Sequence, residues 1–324
     1  MDMRELILLR HGKAVARGDG DDLMRPIKDR GKRAAQRIGV WMARQGLIPD
    51  HVVASPADRA ATTAAKCLKA MGQSAGGVIL DQRIYEATSE EDLLAALADC
   101  PGEARRVLLV GHNPGLRHLL AFLSGSSASD SDKAPRLPTA GLAQLAMPDD
   151  WSLLQPGQAT LQAMQLPDQL PNGFPFPSPH GEELRDRPAY YYTQSSVIPY
   201  RLENGRLEIL IVRSSQNKHW VVPKGIAEPG YSLQSSAAKE AREEAGVEGV
   251  VDEEALGDYE SPKWGASCTV TVYPMRVWRV LRDQDWEERH RGRKWVSPQI
   301  ARLLLREPAL GPIVNMLERR LGAG

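Results

Sequence analysis

The chain has 324 residues, of which 42% are hydrophobic and 25% are charged. This composition is typical of a soluble globular protein and excludes a largely disordered, collagen-like or coiled-coil chain. Lys+Arg and Asp+Glu both total 41, so the formal net charge is zero. We therefore expect neither general binding to nucleic acid nor attachment to a membrane surface.

The cysteines and the apolar runs predict the compartment. Cys67, Cys100 and Cys268 are widely scattered, so they form neither a disulfide framework nor a zinc cluster. No apolar stretch approaches the ~20 residues of a membrane helix. The apolar run Leu6–Leu9 is too short for the core of a signal peptide. The sequence therefore predicts a cytoplasmic protein.

A proline-rich segment at 167–190 divides the chain into two predicted domains, 1–166 and 191–324. Its prolines remove backbone donors, so we expect a polyproline-like linker without regular secondary structure. A second soft stretch, Ser124–Lys133, is rich in Ser, Ala and Asp and is predicted to be a mobile surface loop of the first domain.

In the first domain, short apolar runs alternate with helical stretches. The predicted strands are Glu5–Leu9, His51–Ala54, Val78–Leu80, Val107–Val110, Ala140–Ala146 and Ala159–Met164, and the predicted helices are Asp29–Gln45 and Arg59–Met71. This alternation predicts an α/β fold with a mostly parallel sheet flanked by helices on both faces.

The second domain has a different pattern. The predicted strands are Ser195–Tyr200, Leu207–Arg213, Thr269–Trp278 and Lys294–Val296, and the predicted helices are Leu233–Ala245, Gln299–Leu305 and Leu310–Leu321. Strands interrupted by one strong helix, with two helices at the end, indicate an α+β fold.

Three predicted strands of the first domain end in polar residues. Arg10 and His11 follow the first strand, Ser55 and Arg59 follow the second, and His112 follows a later one. Ligands of open α/β sheets bind beyond the carboxyl ends of the strands, so these side chains should share one crevice. A neutral imidazole can attack phosphorus while guanidinium groups bind the phosphoryl oxygens, which predicts phosphoryl transfer without a metal.

These motifs resemble the histidine phosphatase superfamily, and within it the short phosphohistidine-phosphatase branch of the SixA type. The matching segments are Leu9–Gly12, Ser55–Ala64 and Gly111–Gly115. The resemblance implies that His11 is the phosphorylated nucleophile and that no cofactor is required. It further implies a phosphate pocket of Arg10, Arg59 and His112. Glu86 lies where many members keep a proton donor for the leaving group.

The strong helix of the second domain carries three carboxylates on one face. Ser232 is a good N-cap and Gly246 a good C-terminal stop. Glu240, Glu243 and Glu244 between them are spaced i, i+3 and i+4, so their like charges repel. A hard divalent cation such as Mg²⁺, with Mn²⁺ as an alternative, would offset this repulsion and bridge a pyrophosphate substrate.

This segment resembles the Nudix box. The residues in register are Gly225, Glu240, Ala241, Glu243, Glu244, Gly246 and Val247. Two positions depart from the box, because Tyr231 replaces a glutamate and Lys239 replaces an arginine, which removes a guanidinium fork. The resemblance implies that Glu243 and Glu244 are metal ligands and that Glu240 is a further ligand or the general base.

The sequence around the box resembles that of diphosphoinositol polyphosphate phosphohydrolases, which also tend to accept diadenosine polyphosphates. A heavily phosphorylated substrate needs a basic rim, and the candidates are Arg213, Lys218, His219, Lys224, Arg289, Arg291, Arg293 and Lys294. Pro223-Lys224-Gly225 also resembles dinucleoside tetraphosphate hydrolases and the bacterial proteins that join Nudix and histidine-phosphatase units.

Three functions follow as hypotheses, each with a phosphorylated metabolite or protein as partner. The first is hydrolysis of an inositol pyrophosphate or a dinucleoside polyphosphate, whose product the His11 site trims further. The second is hydrolysis of nucleoside triphosphates. The third is a phosphohistidine protein phosphatase whose Nudix fold senses a ligand without turnover, an alternative that Tyr231 and Lys239 keep open.

Overall fold

The structure is a computed structural model that describes residues 4–125, 136–179 and 181–322. It separates into two compact units, Met1–Phe174 and Pro175–Gly324, and the division falls within the proline-rich segment at 167–190. Most of the predicted surface loop Ser124–Lys133 lies outside the described residues. Within the described parts of the chain, no helix is both long and apolar enough to cross a membrane.

The first unit contains a six-stranded sheet in the order β3-β2-β4-β1-β5-β6. The strands are β1 Arg4–Arg10, β2 His51–Ala54, β3 Ile79–Leu80, β4 Arg106–Gly111, β5 Leu142–Met147 and β6 Thr160–Gln165. β1 to β4 run parallel and the last two strands are antiparallel additions. The helices are α1 Asp29–Arg44, α2 Asp58–Ala70, α3 Gln82–Glu86, α4 Glu91–Ala98 and α5 Gly115–Leu123. The predicted α/β class is confirmed.

A separate hydrophobic core lies on each face of this sheet, because successive side chains of a strand point to opposite faces. Leu6 and Leu8 of β1 pack with α4 and α5, whereas Ile7 and Leu9 pack with α1 and α2. All four leucine and isoleucine side chains are fully buried, each worth roughly 1.5–3 kcal/mol of hydrophobic stabilisation. β1 is therefore held on both faces, which fixes the position of the residues that follow it.

The second unit is built on an eight-stranded sheet, whose main path is β11-β10-β9-β15-β13 with β12, β14 and β16 on branches. Its strands are β9 Thr193–Glu203, β10 Arg206–Arg213, β11 Trp220–Val221, β12 Lys224–Ile226, β13 Val247–Val251, β14 Gly257–Lys263, β15 Ala266–Val280 and β16 Arg293–Val296. The helices are α6 Leu233–Ala245, α7 Pro298–Leu304 and α8 Leu310–Gly322. α6 begins and ends as predicted, with Ser232 capping Ser235 N–H and Gly246 in the left-handed conformation.

The prediction that the proline-rich segment lacks regular structure is wrong. β7 Phe174–Ser178 pairs with β8 Gly181–Arg185 in a two-stranded sheet. Each strand of a two-stranded sheet has a single partner and one unpaired edge. Pro175 and Pro177 are two residues apart, so both nitrogens, which carry no hydrogen, can lie on the unpaired edge. The Arg185 guanidinium lies 3.4 Å from the Phe176 ring centroid and adds a side-chain contact between the two strands. The number of prolines in the segment does not indicate this contact.

Candidate active sites

The carboxyl ends of β1, β2 and β4 meet at one edge of the first sheet. His11 N–H donates to Gly111 O at 3.0 Å, and Ser55 N–H donates to Val110 O at 3.0 Å. These bonds extend the parallel pairing one residue beyond the strands, so the three strand-end motifs lie side by side. The structure thus brings together Arg10, His11, Arg59 and His112, which with other residues line a cavity of about 410 Å³.

The two histidines of this cavity face each other, with ring centroids 5.0 Å apart. His11 Nδ1 lies 2.8 Å from Gly12 O, and since a carbonyl only accepts, Nδ1 carries the proton and Nε2 keeps a free lone pair. Burial, together with Arg59 and Arg10, lowers the pKa of His11 to about 4 despite the Gly12 bond. The ring is therefore neutral at physiological pH, which is the state a nucleophile requires.

His112 is held on the opposite side of the cavity. Its Nε2 is 2.7 Å from the Ser55 hydroxyl. Burial and the neighbouring His11 lower the pKa of His112 to about 3. Since both rings are neutral, the positive charge of the cavity comes from its arginine and lysine side chains.

The two predicted arginines are anchored so that one edge of each guanidinium stays free. Arg59 donates from Nη1 to Asp22 O at 2.7 Å and from Nη2 to the Asp22 carboxylate at 2.8 Å. Arg10 donates from Nη1 to Leu137 O at 3.0 Å. In the described residues, the buried Nε atoms of both arginines have no hydrogen-bond partner. A buried donor without a partner is costly, and phosphoryl oxygens would satisfy both atoms.

Asp22 belongs to this site, although no pattern in the sequence predicted it. Its carboxylate also accepts from Arg25 Nε at 2.8 Å and from the Tyr85 hydroxyl at 3.3 Å. Burial raises the pKa of Asp22, but Arg59 and Arg25 outweigh burial and hold it below its usual value. Asp22 is therefore an anion that orients two guanidinium groups. The only local indication in the sequence is that Asp22 lies three residues before Arg25, in the loop after β1, where the two can form an ion pair.

The structure does not bring Glu86 to the cavity. Glu86 is exposed and its carboxylate accepts from Gln82 Nε2 at 2.8 Å, one turn earlier on α3. The neighbouring Tyr85 faces the site instead, with its ring 5.9 Å from that of His112. A proton-donor role for Glu86 remains a prediction that this placement does not support.

In the second unit, Glu244 of α6 is nearly buried and has partners for both carboxylate oxygens. Oε1 accepts from Arg291 Nη2 at 2.6 Å, and Oε2 accepts from the backbone N–H of Lys224 at 3.1 Å. Burial raises the pKa of Glu244, although Arg291 and the Lys224 bond oppose this shift. The carboxylate is thus fixed against the start of β12.

Glu240 lies against Gly225. A Cβ atom at Gly225 would come 1.9 Å from Glu240 Oε1, so only glycine leaves room for this carboxylate. Burial, followed by the charges of Glu244 and Glu243, raises the pKa of Glu240 to about 7. A carboxylate that titrates near neutrality suits proton transfer, and it also marks a place where added positive charge would be favourable.

The chemistry of these carboxylates fits a hard divalent cation, but cationic side chains neutralise two of them here. Lys239 Nζ lies 3.6 Å from Glu243 Oε1, and Arg291 pairs with Glu244. Within residues 4–125, 136–179 and 181–322, no three His, Cys, Asp or Glu side chains converge as an ion site. An ion at Glu240 and Glu244 would thus replace the charge that Arg291 supplies.

The predicted substrate residues have different placements. Arg291 is only 8% exposed and Arg293 donates to the carbonyls of Ala245, Gly246 and Leu281, so these two arginines lie inside the domain rather than on a rim. Both satisfy buried groups, a role that a basic sequence cluster does not reveal. The Arg213 guanidinium lies 4.2 Å from the Trp220 ring centroid. The remaining candidates lie at or near the surface, namely Lys218, His219, Arg289 and Lys294.

Lys224 lines a second cavity of about 400 Å³ together with Tyr259, Ser261, Lys263 and Arg306. Its ammonium donates to the Ser261 hydroxyl at 3.4 Å, and burial followed by Lys263 lowers its pKa. Lys224 was predicted as a substrate residue, whereas the other lining residues were not, because they lie far along the chain in β14 and after α7. The cavity therefore presents three cationic side chains and one carboxylate, that of Glu307, to a ligand.

Comparisons with known proteins agree with this layout. The NUDIX domain model matches residues 193–316, and the model of the histidine phosphatase superfamily (branch 1) matches residues 6–93. Nudix hydrolase 12, mitochondrial, of Arabidopsis thaliana is 32% identical over 168 residues, which cover 42% of this chain and 82% of that protein. Nudix hydrolase 18, mitochondrial, of the same plant is 32% identical over 134 residues, covering 38% and 74% of the two chains.

Among solved structures, the phosphohistidine phosphatase SixA of Nakamurella multipartitia is similar to half of this chain. The identity is 30%, with 50% of this chain and 95% of the other covered at a TM-score of 0.43. The two matched families define the protein as a hydrolytic enzyme of phosphorylated compounds. The chain belongs to the Nudix hydrolases and carries a histidine-phosphatase domain before its Nudix domain. Nudix domains generally use a divalent metal ion.

Proposed function

We propose that the Nudix domain is a Mg²⁺-dependent hydrolase that cleaves pyrophosphate bonds of diphosphoinositol polyphosphates, diadenosine polyphosphates, or both. The observation that carries this proposal is the position of Lys224. Its backbone N–H contacts Glu244, whereas its ammonium lies in the cavity with Lys263 and Arg306. Lys224 therefore links the cavity, which its side chain lines, to the Glu244 carboxylate of α6, which its backbone contacts.

The residues of α6 divide the chemistry between them. A bound divalent cation would be held by Glu243 and Glu244, with Glu240 either a further ligand or the general base, and it would supply neutralisation of pyrophosphate charge and activation of water. Glu240, whose pKa is raised to about 7, is the carboxylate best suited to accept a proton from the attacking water. Lys224 would bind a phosphate that stays on the substrate and fix the scissile bond relative to α6.

We propose further that the first domain is a phosphatase with a phosphohistidine intermediate. His11 Nε2 attacks phosphorus, the bond from phosphorus to the leaving group breaks, and water later cleaves the P–N bond to release phosphate. The free Nε donors of Arg10 and Arg59 would bind the phosphoryl oxygens in both steps. His112, neutral and bonded to Ser55, completes the pocket.

One digest tests both proposals. A diphosphoinositol polyphosphate and a diadenosine polyphosphate are incubated with Mg²⁺ and wild type, Glu244→Gln or His11→Ala, and the products and released phosphate are identified. The exposed Glu287→Gln is the matched control. We expect Glu244→Gln alone to abolish pyrophosphate cleavage and His11→Ala alone to abolish trimming of the product. No cleavage of either substrate by wild type would refute the proposed substrates and turn attention to nucleoside triphosphates.

A second candidate function has its own support. Because Lys239 and Arg291 already neutralise two carboxylates, the Nudix domain could bind a phosphorylated ligand without turnover, while the first domain acts on phosphohistidine in a protein partner. Mg²⁺-dependent product formation separates the two, since a binding domain would show affinity for the same ligands but release no product.

A further inference from the structure

Two lysines lie directly opposite each other at the cavity of the first domain. Ala14 and Ile27 form an antiparallel bridge, and Lys28 N–H donates to Lys13 O at 2.8 Å, which places Lys13 across from Lys28. The next bond of the same ladder, from Val15 N–H to Pro26 O at 3.0 Å, fixes this register. Like charges directly opposite in a strand pair repel each other. The arrangement therefore costs free energy unless an anion lies nearby.

The protein does not supply that anion in the part of the chain that the structure describes. There, neither Lys13 nor Lys28 has an acidic side chain within 4.0 Å of its ammonium. Asp22 pairs with Arg25 and Arg59, and Asp29 pairs with Lys32. Asp19 and Asp21, which also lie between the two lysines in the chain, form no ion pair with either of them in the described residues. A bound anionic ligand could therefore neutralise the charge of the two lysines.

The pair opens onto the reaction site. Lys13 and Lys28 line the same cavity of about 410 Å³ as His11, Arg10 and Arg59. The transferred phosphoryl group has three terminal oxygens, and Arg10 and Arg59, which line the cavity, each have an Nε atom without a hydrogen-bond partner in the described residues. Both lysines are exposed, and they add two positive charges beyond those that bind one phosphoryl group.

We propose that Lys13 and Lys28 form a second anion subsite, which binds a phosphate group of the substrate that is not transferred. The inference rests on the proposed phosphatase function and specifies its substrate class, a small molecule with at least two phosphate groups. A Nudix cleavage leaves phosphorylated products of this class, so the subsite would suit the product of the second domain.

The kinetic test compares two substrates that differ in phosphate number. In full-length protein with Glu244→Gln and EDTA, phosphate release is measured from an inositol monophosphate and from inositol hexakisphosphate. We expect Lys13→Ala/Lys28→Ala to lower kcat/KM for the hexakisphosphate by about tenfold or more, mainly through KM, and to change the monophosphate value by less than about threefold. The charge-matched control, Lys32→Ala/Lys66→Ala, lies outside the cavity and should change neither value.

Binding keeps the subsite testable without turnover. Calorimetry in EDTA should show that inorganic pyrophosphate binds wild type more tightly than inorganic phosphate does, and that Lys13→Ala/Lys28→Ala loses this preference while the control keeps it. Equal losses for both anions, or for both inositol phosphates, would overturn the subsite. A phosphohistidine peptide hydrolysed equally by wild type and the double variant, with the hexakisphosphate untouched, would also overturn it and indicate a protein substrate. Activity on p-nitrophenyl phosphate that survives His11→Ala would instead refute the proposed phosphatase mechanism.

Discussion

Arg291 is the residue whose replacement separates structural from metal-related effects in the Nudix domain. Its Nη2 lies 2.6 Å from Glu244 Oε1, and the two side chains are 9% and 11% exposed. Arg291 also pairs with Glu288. Removing one partner of such a buried pair costs about 3–5 kcal/mol, because the remaining charge loses its compensation. We therefore expect Arg291→Gln to lower the free energy of unfolding by this amount in EDTA.

Saturating Mg²⁺ should reduce that loss. A cation at Glu244 supplies the charge that Arg291 provided, so the variant gains more from Mg²⁺ than wild type does. Each tenfold gain in Mg²⁺ affinity restores about 1.4 kcal/mol. The assay is urea unfolding followed by tryptophan fluorescence, with and without Mg²⁺, together with calorimetric Mg²⁺ titration. The exposed Arg289→Gln serves as control. An equal loss of unfolding free energy in both buffers, with unchanged Mg²⁺ affinity, would show that Arg291 has a structural role only.

Three further predictions concern other residues. Gly225→Ala places a Cβ 1.9 Å from Glu240 Oε1, so Mg²⁺-dependent turnover should fall at least tenfold while the activity of the first domain, assayed in EDTA on p-nitrophenyl phosphate, stays constant. Burial lowers the pKa of His11 to about 4, so kcat/KM of that phosphatase reaction should be level between about pH 5 and 8 and fall only near pH 4, whereas a midpoint near 6.5 would contradict the burial argument. Gly39→Ala brings a Cβ within 2.2 Å of a carbonyl oxygen of α2, and we expect urea unfolding to show a loss of about 1–3 kcal/mol, with Gly102→Ala, which has open space, unchanged.

The sequence predicted those features that depend on neighbours in the chain. β2 and α6 were predicted with the bounds that the structure has, because a short apolar run rich in β-branched residues, a helical spacing and helix caps are local signals. The meeting of Arg10, His11 and His112 was also predictable. Once a parallel sheet is inferred, the ends of adjacent strands must share one edge, and β1 pairs directly with β4.

The features that were missed depend on contacts between distant segments. Asp22 entered the site through Arg59, 37 residues away, and no local pattern marks that pairing. Arg291 was predicted to lie on a substrate rim because a heavily phosphorylated substrate needs basic side chains. The structure buries it against Glu244, 47 residues earlier, whose charge compensates for the desolvation of the guanidinium. Both cases concern charged residues whose position depends on a partner that the sequence cannot identify.

The two sites offset the charge of phosphate by opposite means, and this difference can be measured. Five cationic side chains line the His11 cavity, namely Arg10, Lys13, Arg25, Lys28 and Arg59, whereas α6 presents carboxylates that need a cation before they can approach phosphate. EDTA should therefore abolish pyrophosphate cleavage and leave the His11 reaction unchanged. High salt should do the reverse, raising KM of the His11 reaction because salt screens exposed cations such as Lys13 and Lys28. A His11 reaction that EDTA inhibits and Mg²⁺ restores would show that the arginines alone do not offset the phosphoryl charge.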